Sequence, residues 1–260
     1  MIKYSICITH YNNNGTVRGS LDSLLDQLDD TFEVVVVDNM SNDGSQLVLE
    51  EYGKMGAIRL ISAKCSRGKG RQIAFLNSVG DYVVSNMDMD EVFKPTLASF
   101  LTFYHNRCEG NVLAVIPREG GRGPNITVAP RAVLSEIGGW RDLQYGEDWD
   151  VWSRAAAFGK YSWTVFPLVD RSSKHERRQT KAGKFKYRFG KYRDELRLGR
   201  DVLSKEEKVT STQRAALLLA RLALPFYESY ANDFNKTFDC AESRHFVDRN
   251  TLTEREAKAA

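Results

Sequence analysis

The chain has little cysteine, and none of it is arranged for a cross-linked or metal-stapled fold. Its 4 cysteines, Cys7, Cys65, Cys108 and Cys240, form no Cys-x-x-Cys pair and lie near no histidines at zinc spacing, so they read as free thiols. No apolar run approaches the roughly 20 residues of a membrane-spanning helix; the longest near the C-terminus, 215–224, is broken by Arg221. The opening MIKYSICITHYNN lacks the basic start and long apolar stretch of a secretory leader and reads as strand and turn. The expected compartment is therefore the cytoplasm, and the sequons at Asn125 and Asn235 carry no weight. There is no internal repeat, no nucleic-acid-binding motif and no Gly-Lys-Ser/Thr of a phosphate-binding P-loop, so no nucleic-acid partner is expected.

What is present is ordinary in length and uneven in charge. The 260 residues suffice for one substantial core, or for one core with a helical extension. The net charge of +3 conceals an asymmetry: residues 170–200 hold 12 Lys and Arg against 4 Asp and Glu, leaving 25 against 30 elsewhere. The first half alternates short β-branched runs with amphipathic helical patterns, which predicts βαβ units and a largely parallel sheet. Strands are predicted at 4–9, 33–38, 57–61, 82–87 and 112–116, and a closing strand at 161–169. Between them, Val17, Leu21, Leu24, Leu25 and Leu28 recur at helical spacing, and Val48, Tyr52 and Met55 share one side of the next helix. Further helices are predicted at 71–77, 96–107, 131–137 and from about Asp148 to Gly159, with a loop at 119–124. The expected fold is thus α/β: a Rossmann-like, mostly parallel sheet flanked by helices, followed by a basic helical C-terminal extension without strand signals.

In such open sheets ligands collect at the carboxyl ends of the strands, and those positions are polar here. After the second strand comes Asp38-Asn39-Met40-Ser41-Asn42-Asp43-Gly44-Ser45; its carboxylates suit a base or ribose hydroxyl, or simply an Asx-turn opening a helix. After the fourth stands Asp88-Met89-Asp90-Glu91, where crowded carboxylates repel unless solvent or a cation relieves them. Such an oxygen-rich site suits Mg2+ or Mn2+ held jointly with substrate phosphates. Residues 66–72, with Arg67, Gly68, Lys69, Gly70 and Arg71, read as an anion-cradling loop that leads into a helix, or as a basic surface loop. Gly146-Glu147-Asp148-Trp149-Asp150 sits at a predicted helix start, where the helix dipole alone favours acids.

These elements, in this order over residues 3–175, resemble glycosyltransferase family 2 of the GT-A type. The carrying segments are Ser5 through Asn12, Val37 through Ser45, Arg67-Gly68 through Arg71-Gln72, Gly80-Asp81-Tyr82-Val83, Asp88 through Pro95, Ile137-Gly138-Gly139-Trp140, and Gly146 through Arg154. Two departures stand out: Gln72 occupies a usual Asn position, and Asp88 follows Gly80 by one residue more than the pattern, an excess that a β-bulge would absorb. The resemblance implies a catalytic domain over 1–175, with a nucleotide-binding half to residue 110 and an acceptor half over 111–175, followed by an extension over 176–260. It implies nucleotide contacts from Thr9, Tyr11, Asn12, Asp38, Ser41, Asp43, Arg67, Gly68, Arg71 and Asp88. It implies a metal, Mn2+ or Mg2+, at Asp88 and Asp90, with His175 completing the shell.

The implied reaction moves a sugar from a UDP- or GDP-linked donor to a glycan or lipid-linked acceptor, inverting the anomeric centre. Asp148 is its expected general base and Glu147 the rival; with a lipid-phosphate acceptor, already ionised, Asp148 would position rather than deprotonate. Two other classes compete. Sugar-phosphate nucleotidyltransferases share the architecture, but residues 9–15 hold one glycine and no arginine where those enzymes carry a glycine-rich, Arg-containing loop. A non-catalytic membrane- or nucleic-acid-binding module would use the basic segment and leave the acidic loop unexplained. Within 176–203, Phe185, Phe189, Tyr192, Leu196 and Leu203 form an apolar stripe amid cations, which fits docking on an anionic membrane surface, peripherally on its inner face, or a solvated helix packed on the core, with Gly183 and Gly190 weakening a continuous helix.

Overall fold

In the computed structural model of the chain, the described residues are 1–116, 126–170, 181–200, 210–230 and 245–248. The 119–124 loop, Asn125, His175, Leu203, Asn235 and Cys240 lie outside them. The elements run β1 (Tyr4–His10), α1 (Val17–Leu25), β2 (Phe32–Asp38), α2 (Ser45–Lys54), β3 (Arg59–Ser62), α3 (Arg67–Leu76), β4 (Tyr82–Ser85), β5 (Val92–Phe93) and α4 (Leu97–Arg107). They continue as β6 (Val112–Val115), β7 (Thr127–Pro130), α5 (Arg131–Glu136), α6 (Glu147–Ala157), β8 (Tyr161–Thr164), β9 (Val169–Asp170), α7 (Lys181–Arg197) and α8 (Ser211–Ala223).

The main sheet has the order β3-β2-β1-β4-β7-β6-β8. Only β7 opposes its neighbours, pairing antiparallel with both β4 and β6, so the sheet is mostly parallel as expected. Period-2 alternation explains how it acquires two faces. In β2, Val34 and Val36 join the apolar layer of α1, α2 and α4 through Leu21, Leu49 and Phe100. Val35 and Val37 join the opposite layer, made with α3, α5 and α6 through Phe75, Leu134 and Trp152.

Several expectations are corrected. The strand predicted at 161–169 is two strands, because β9 leaves the main sheet to pair antiparallel with β5, and neither β5 nor β7 was expected. Both are short, too brief for a periodic signal. Met55 caps α2 in solvent at 61% exposure, and Leu49 takes the core place beside Tyr52. The C-terminal part does reach the sheet edge, where Phe246 bridges Trp163.

Among the described residues, the apolar stripe of α7 packs within the protein. Tyr192 is buried against Ala216, Leu217 and Ala220 of α8, and Phe185, Phe189 and Leu196 pack around them. A second amphipathic helix has covered the surface that the sequence left open. Among the described residues no helix is long and apolar enough to cross a membrane.

Candidate active site

Three adjacent parallel strands end at one edge, and each is followed by a non-glycine residue in the left-handed region. These are Asn12 (φ 52°) after β1, Met40 (φ 55°) after β2 and Asn86 (φ 65°) after β4. Asn tolerates this conformation, whereas for Met it costs about 1 kcal/mol, which surrounding bonds must offset. Those bonds join the first two loops. The Asn12 amide donates to Ser41 Oγ at 3.0 Å, and the Asn12 side chain exchanges hydrogen bonds with Asn42 at 3.1 and 3.0 Å. Asn14 N donates to one Asp43 oxygen at 2.9 Å, and the other accepts from Ser45 N at 3.0 Å.

Asp38 is fully buried, and its two oxygens accept from the Ser41 amide and hydroxyl. Its charge therefore holds the turn, and a direct nucleoside contact would have to displace one of these bonds. Tyr11, 49% exposed, offers an aromatic face beside this stitched pair of loops. Thr9 is partly exposed and donates to Arg67 O at a long 3.5 Å. Below the loops, buried His10 meets Ser45 Oγ through Nε2 at 2.9 Å; burial lowers its pKa against the pull of Asp38 and Asp43.

The basic segment at 66–72 is helix rather than loop, beginning at Arg67 with Ser66 as its cap. Its glycines serve close packing. A Cβ on Gly68 would lie 2.1 Å from Arg141 O, and one on Gly70 2.5 Å from Thr9 Cγ2. The expectation of an anion-cradling loop is corrected, because the leading amides of this segment already have partners. Arg67 N donates to Gln144 Oε1 (3.2 Å), Gly68 N to Leu143 O (2.8 Å), Lys69 N to Ser66 Oγ (3.1 Å) and Gly70 N to Ser66 O (2.9 Å). Gln72 accepts from Trp140 N at 2.7 Å, fastening α3 to the Gly138-Gly139-Trp140 turn.

After β4, buried Met89 anchors its loop in the core while Asp88 and Asp90 face solvent. Glu91 turns inward and does not join them at the surface. No bulge interrupts β4, which stays in register with β1 through Ser85, and left-handed Asn86 follows it. Enclosure by surrounding protein raises the Asp88 carboxyl, Arg71 and Arg67 oppose the rise, and Asp90 adds to it, although the side chain itself stays open.

Opposite this loop, α6 starts with buried charge. Arg71 Nη1 donates to Glu147 Oε1 at 2.5 Å and to Asp148 Oδ1, and Arg67 stands 3.5 Å from Glu147. The Glu147 side chain is 2% exposed and that of Asp148 12%. Burial raises the Asp148 carboxyl to about 7; Arg71 and Arg67 oppose the rise, while Glu147 and Asp88 reinforce it. Asp150 faces away and binds Arg141 (3.2 Å) and Arg154 (2.7 Å), whose guanidinium also reaches Ile137 O and Gly139 O. Trp152 is core; its Nε1 meets Thr127 Oγ1 at 3.1 Å, the atom that also accepts from Asn86 at 3.0 Å.

The glycosyl transferase family 2 model matches residues 5–166, the span containing every described element of this site. The chain belongs to glycosyltransferase family 2. Poly(ribitol-phosphate) beta-N-acetylglucosaminyltransferase TarS of Staphylococcus aureus (strain MW2) is 27% identical over 128 residues, which are 47% of this chain and 22% of TarS. The chain thus spans about a fifth of the length of the curated relatives it matches. In fold it is similar to TarS 1-349 in complex with UDP, with TM-score 0.55, 17% identity and coverage of 87% of this chain and 72% of that one. It is similarly close to mannosyltransferase PcManGT from Pyrobaculum calidifontis in complex with GDP-Man and Mn2+, with TM-score 0.57, 18% identity and coverage of 85% and 69%.

Within this family 2 domain the structure gathers Arg67, Arg71, Asp88, Glu147 and Asp148 in one electrostatic cluster, and Asn12, Asp38, Ser41 and Asp43 in one hydrogen-bonded one. Sequence reasoning singled out Gln72 without giving it a role, and missed Thr127 and Asp194. Asp194 was signalled: with Glu195 it is an acidic pair within a long cationic segment.

Proposed function

We propose that the enzyme transfers a sugar from a UDP- or GDP-linked donor to a hydroxyl of a glycan or lipid-linked acceptor, inverting the anomeric centre, with Asp148 as general base. The carrying observation is that Asp148, alone of the acids at the start of α6, combines a residual exposure of its side chain with a carboxyl raised toward neutrality. A base whose pKa lies near the working pH is the efficient one. Glu147 is more deeply buried and held by two arginines, so it orients Arg71 and Arg67. The nucleoside lies against Tyr11 and the stitched turns that Asp38, Ser41 and Asp43 hold, with Arg67 facing the phosphates.

Asp88 and Asp90 fit a divalent cation shared with those phosphates, being two open carboxylates whose mutual repulsion a cation relieves. Among the described residues no group of three His, Cys, Asp or Glu side chains is placed to hold a metal, so donor oxygens must complete the shell. When bound, Mg2+ or Mn2+ neutralises the charge that grows on the departing nucleotide diphosphate. That donor chemistry agrees with the UDP, GDP-Man and Mn2+ named for the structural neighbours.

A thermal-shift screen of nucleoside diphosphates with and without Mn2+ tests the reading, because a ligand that binds only the folded state raises Tm. Replacing both Asp88 and Asp90 with Ala should abolish the cation dependence. Full metal-stimulated turnover by that double variant would place the metal elsewhere.

A further inference from the structure

The loop that delivers Asp148 is gripped from two sides. Residues 141–146 join the Gly138-Gly139-Trp140 turn to α6, and the start of α3 holds one side through Gly68 N to Leu143 O at 2.8 Å and Arg67 N to Gln144 Oε1 at 3.2 Å. The other side is held from α7, in the basic C-terminal part. Asp194, with no exposed surface, accepts from Gln144 N at 2.9 Å and Tyr145 N at 3.1 Å on one oxygen. Its other oxygen accepts from Arg193 Nε at 2.8 Å and Arg197 Nη1 at 3.3 Å.

The same helix adds independent contacts. Arg197 Nη1 donates to Asp142 O at 2.7 Å, and Leu143 packs with Leu198 and Tyr230. Gly190 lets α7 approach so closely that a Cβ there would lie 2.7 Å from the Tyr145 ring. Both grips end at left-handed Gly146 (φ 75°), and the next two residues are Glu147 and Asp148.

We propose that Asp194 is a positioning residue for the transfer reaction: its buried carboxylate fixes the backbone amides of Gln144 and Tyr145 and so sets where α6 presents Asp148. The proposal rests on the reading of Asp148 as base. A carboxylate is suited to the task because it accepts from four donors without offering a proton, whereas an amide in the same place would turn its NH2 toward donors on one side. The basic extension thereby acts inside the site from more than forty residues downstream of the base.

The test uses the full chain with Asp194→Asn and Gly190→Ala. The second variant keeps the charge and favours helix, yet presses on the Tyr145 ring. Turnover with UDP- and GDP-sugars, nucleotide affinity and hydrogen–deuterium exchange of the loop amides are measured together. A misplacement near 1 Å can cost up to about 100-fold in rate, so kcat should fall about 10- to 100-fold in both, with nucleotide Kd within about twofold of wild type. Exchange at Gln144, Tyr145 and Asp150 should accelerate.

If Asp194→Asn folds and keeps wild-type kcat and exchange, the proposal is overturned; a fall in Tm alone, with kcat per folded molecule unchanged, overturns it equally. If Asp194→Asn fails to fold, Gly190→Ala decides by the same criteria. A wild type that transfers no sugar while still binding nucleotide defeats the transfer reading instead, and exchange in the variants then judges the grip on its own.

Discussion

The two sides of the proposed site are built from different forces. On the proposed nucleotide side, Asn12, Ser41, Asn42 and Asp43 knit two neighbouring loops through hydrogen bonds between groups about thirty residues apart, most of them exposed. On the proposed acceptor side, Arg71, Glu147 and Asp148 form a buried charge cluster across a separation of 76 and 77 residues. Exposed hydrogen bonds exchange with water at little net cost, whereas buried charges lose hydration and must find partners. Apart from buried Asp38, the first side is therefore held by bonds that cost little to make, and the second stores a perturbed carboxyl.

Substitutions at the two sides should differ accordingly, and the largest effect is expected at Asp148. General-base catalysis is worth about 100- to 10,000-fold, so Asp148→Asn should lower turnover on a hydroxyl acceptor by that order with nucleotide affinity near wild type. Near-normal transfer to a hydroxyl removes the assignment, while near-normal transfer confined to a phosphate acceptor indicates a positioning role. Steady-state kinetics with calorimetric nucleotide binding separates these cases.

Next comes the charge cluster itself. Arg71→Met leaves Glu147 and Asp148 buried without their shared partner and should destabilise the fold by about 3–5 kcal/mol, read by denaturant unfolding. A loss below about 1 kcal/mol would mean that Arg67 alone suffices, and the contrast between the two sides would shrink.

A smaller effect is expected on the nucleotide side. Asp38→Ala releases the Ser41 turn and should weaken nucleotide binding by about 1–3 kcal/mol, the scale of a charge-assisted hydrogen bond. Unchanged affinity would show that the Asn12–Asn42 exchange holds the loops unaided.

The pH response sharpens the comparison further. With the Asp148 carboxyl raised to about 7, the basic form accumulates as pH rises, so kcat/KM should climb through about pH 7, and Asp148→Asn should lose that limb. Folding stability moves the other way. A folded pKa above the unfolded 3.8 means that this group's contribution is complete below about pH 4 and disappears as pH rises through 7. A rate profile flat from pH 6 to 8 would contradict the raised value.

Much of the fold was legible because it rests on local periodicity. The consecutive valines at 34–37 announced a strand buried on both faces, and Leu21 and Leu24 an amphipathic helix. Elements decided by pairing rather than pattern were not: β7 and the β5–β9 pair are short, and their residues become strand only because partners lie alongside. At the site, Asp88, Asp90, Glu147 and Asp148 were legible as acids at element ends. Gly68 was misread because a glycine that grants freedom to a loop and one that admits a neighbouring backbone look alike until the neighbour, Arg141 O, is in place.

The sequence by itself determined the α/β alternation, the family and the chemical inventory, because periodicity and acidic strand ends are properties of consecutive residues. Only the tertiary structure decided what each member of that inventory does. Asp38 is spent on a turn, α7 hides its apolar stripe under α8, and Asp194 holds the loop before Asp148. The physical reason is that burial, hydrogen-bond partnership and electrostatic neighbours are relations between distant segments, and the same carboxylate is an inert cap, a turn anchor or a base according to which of them it meets.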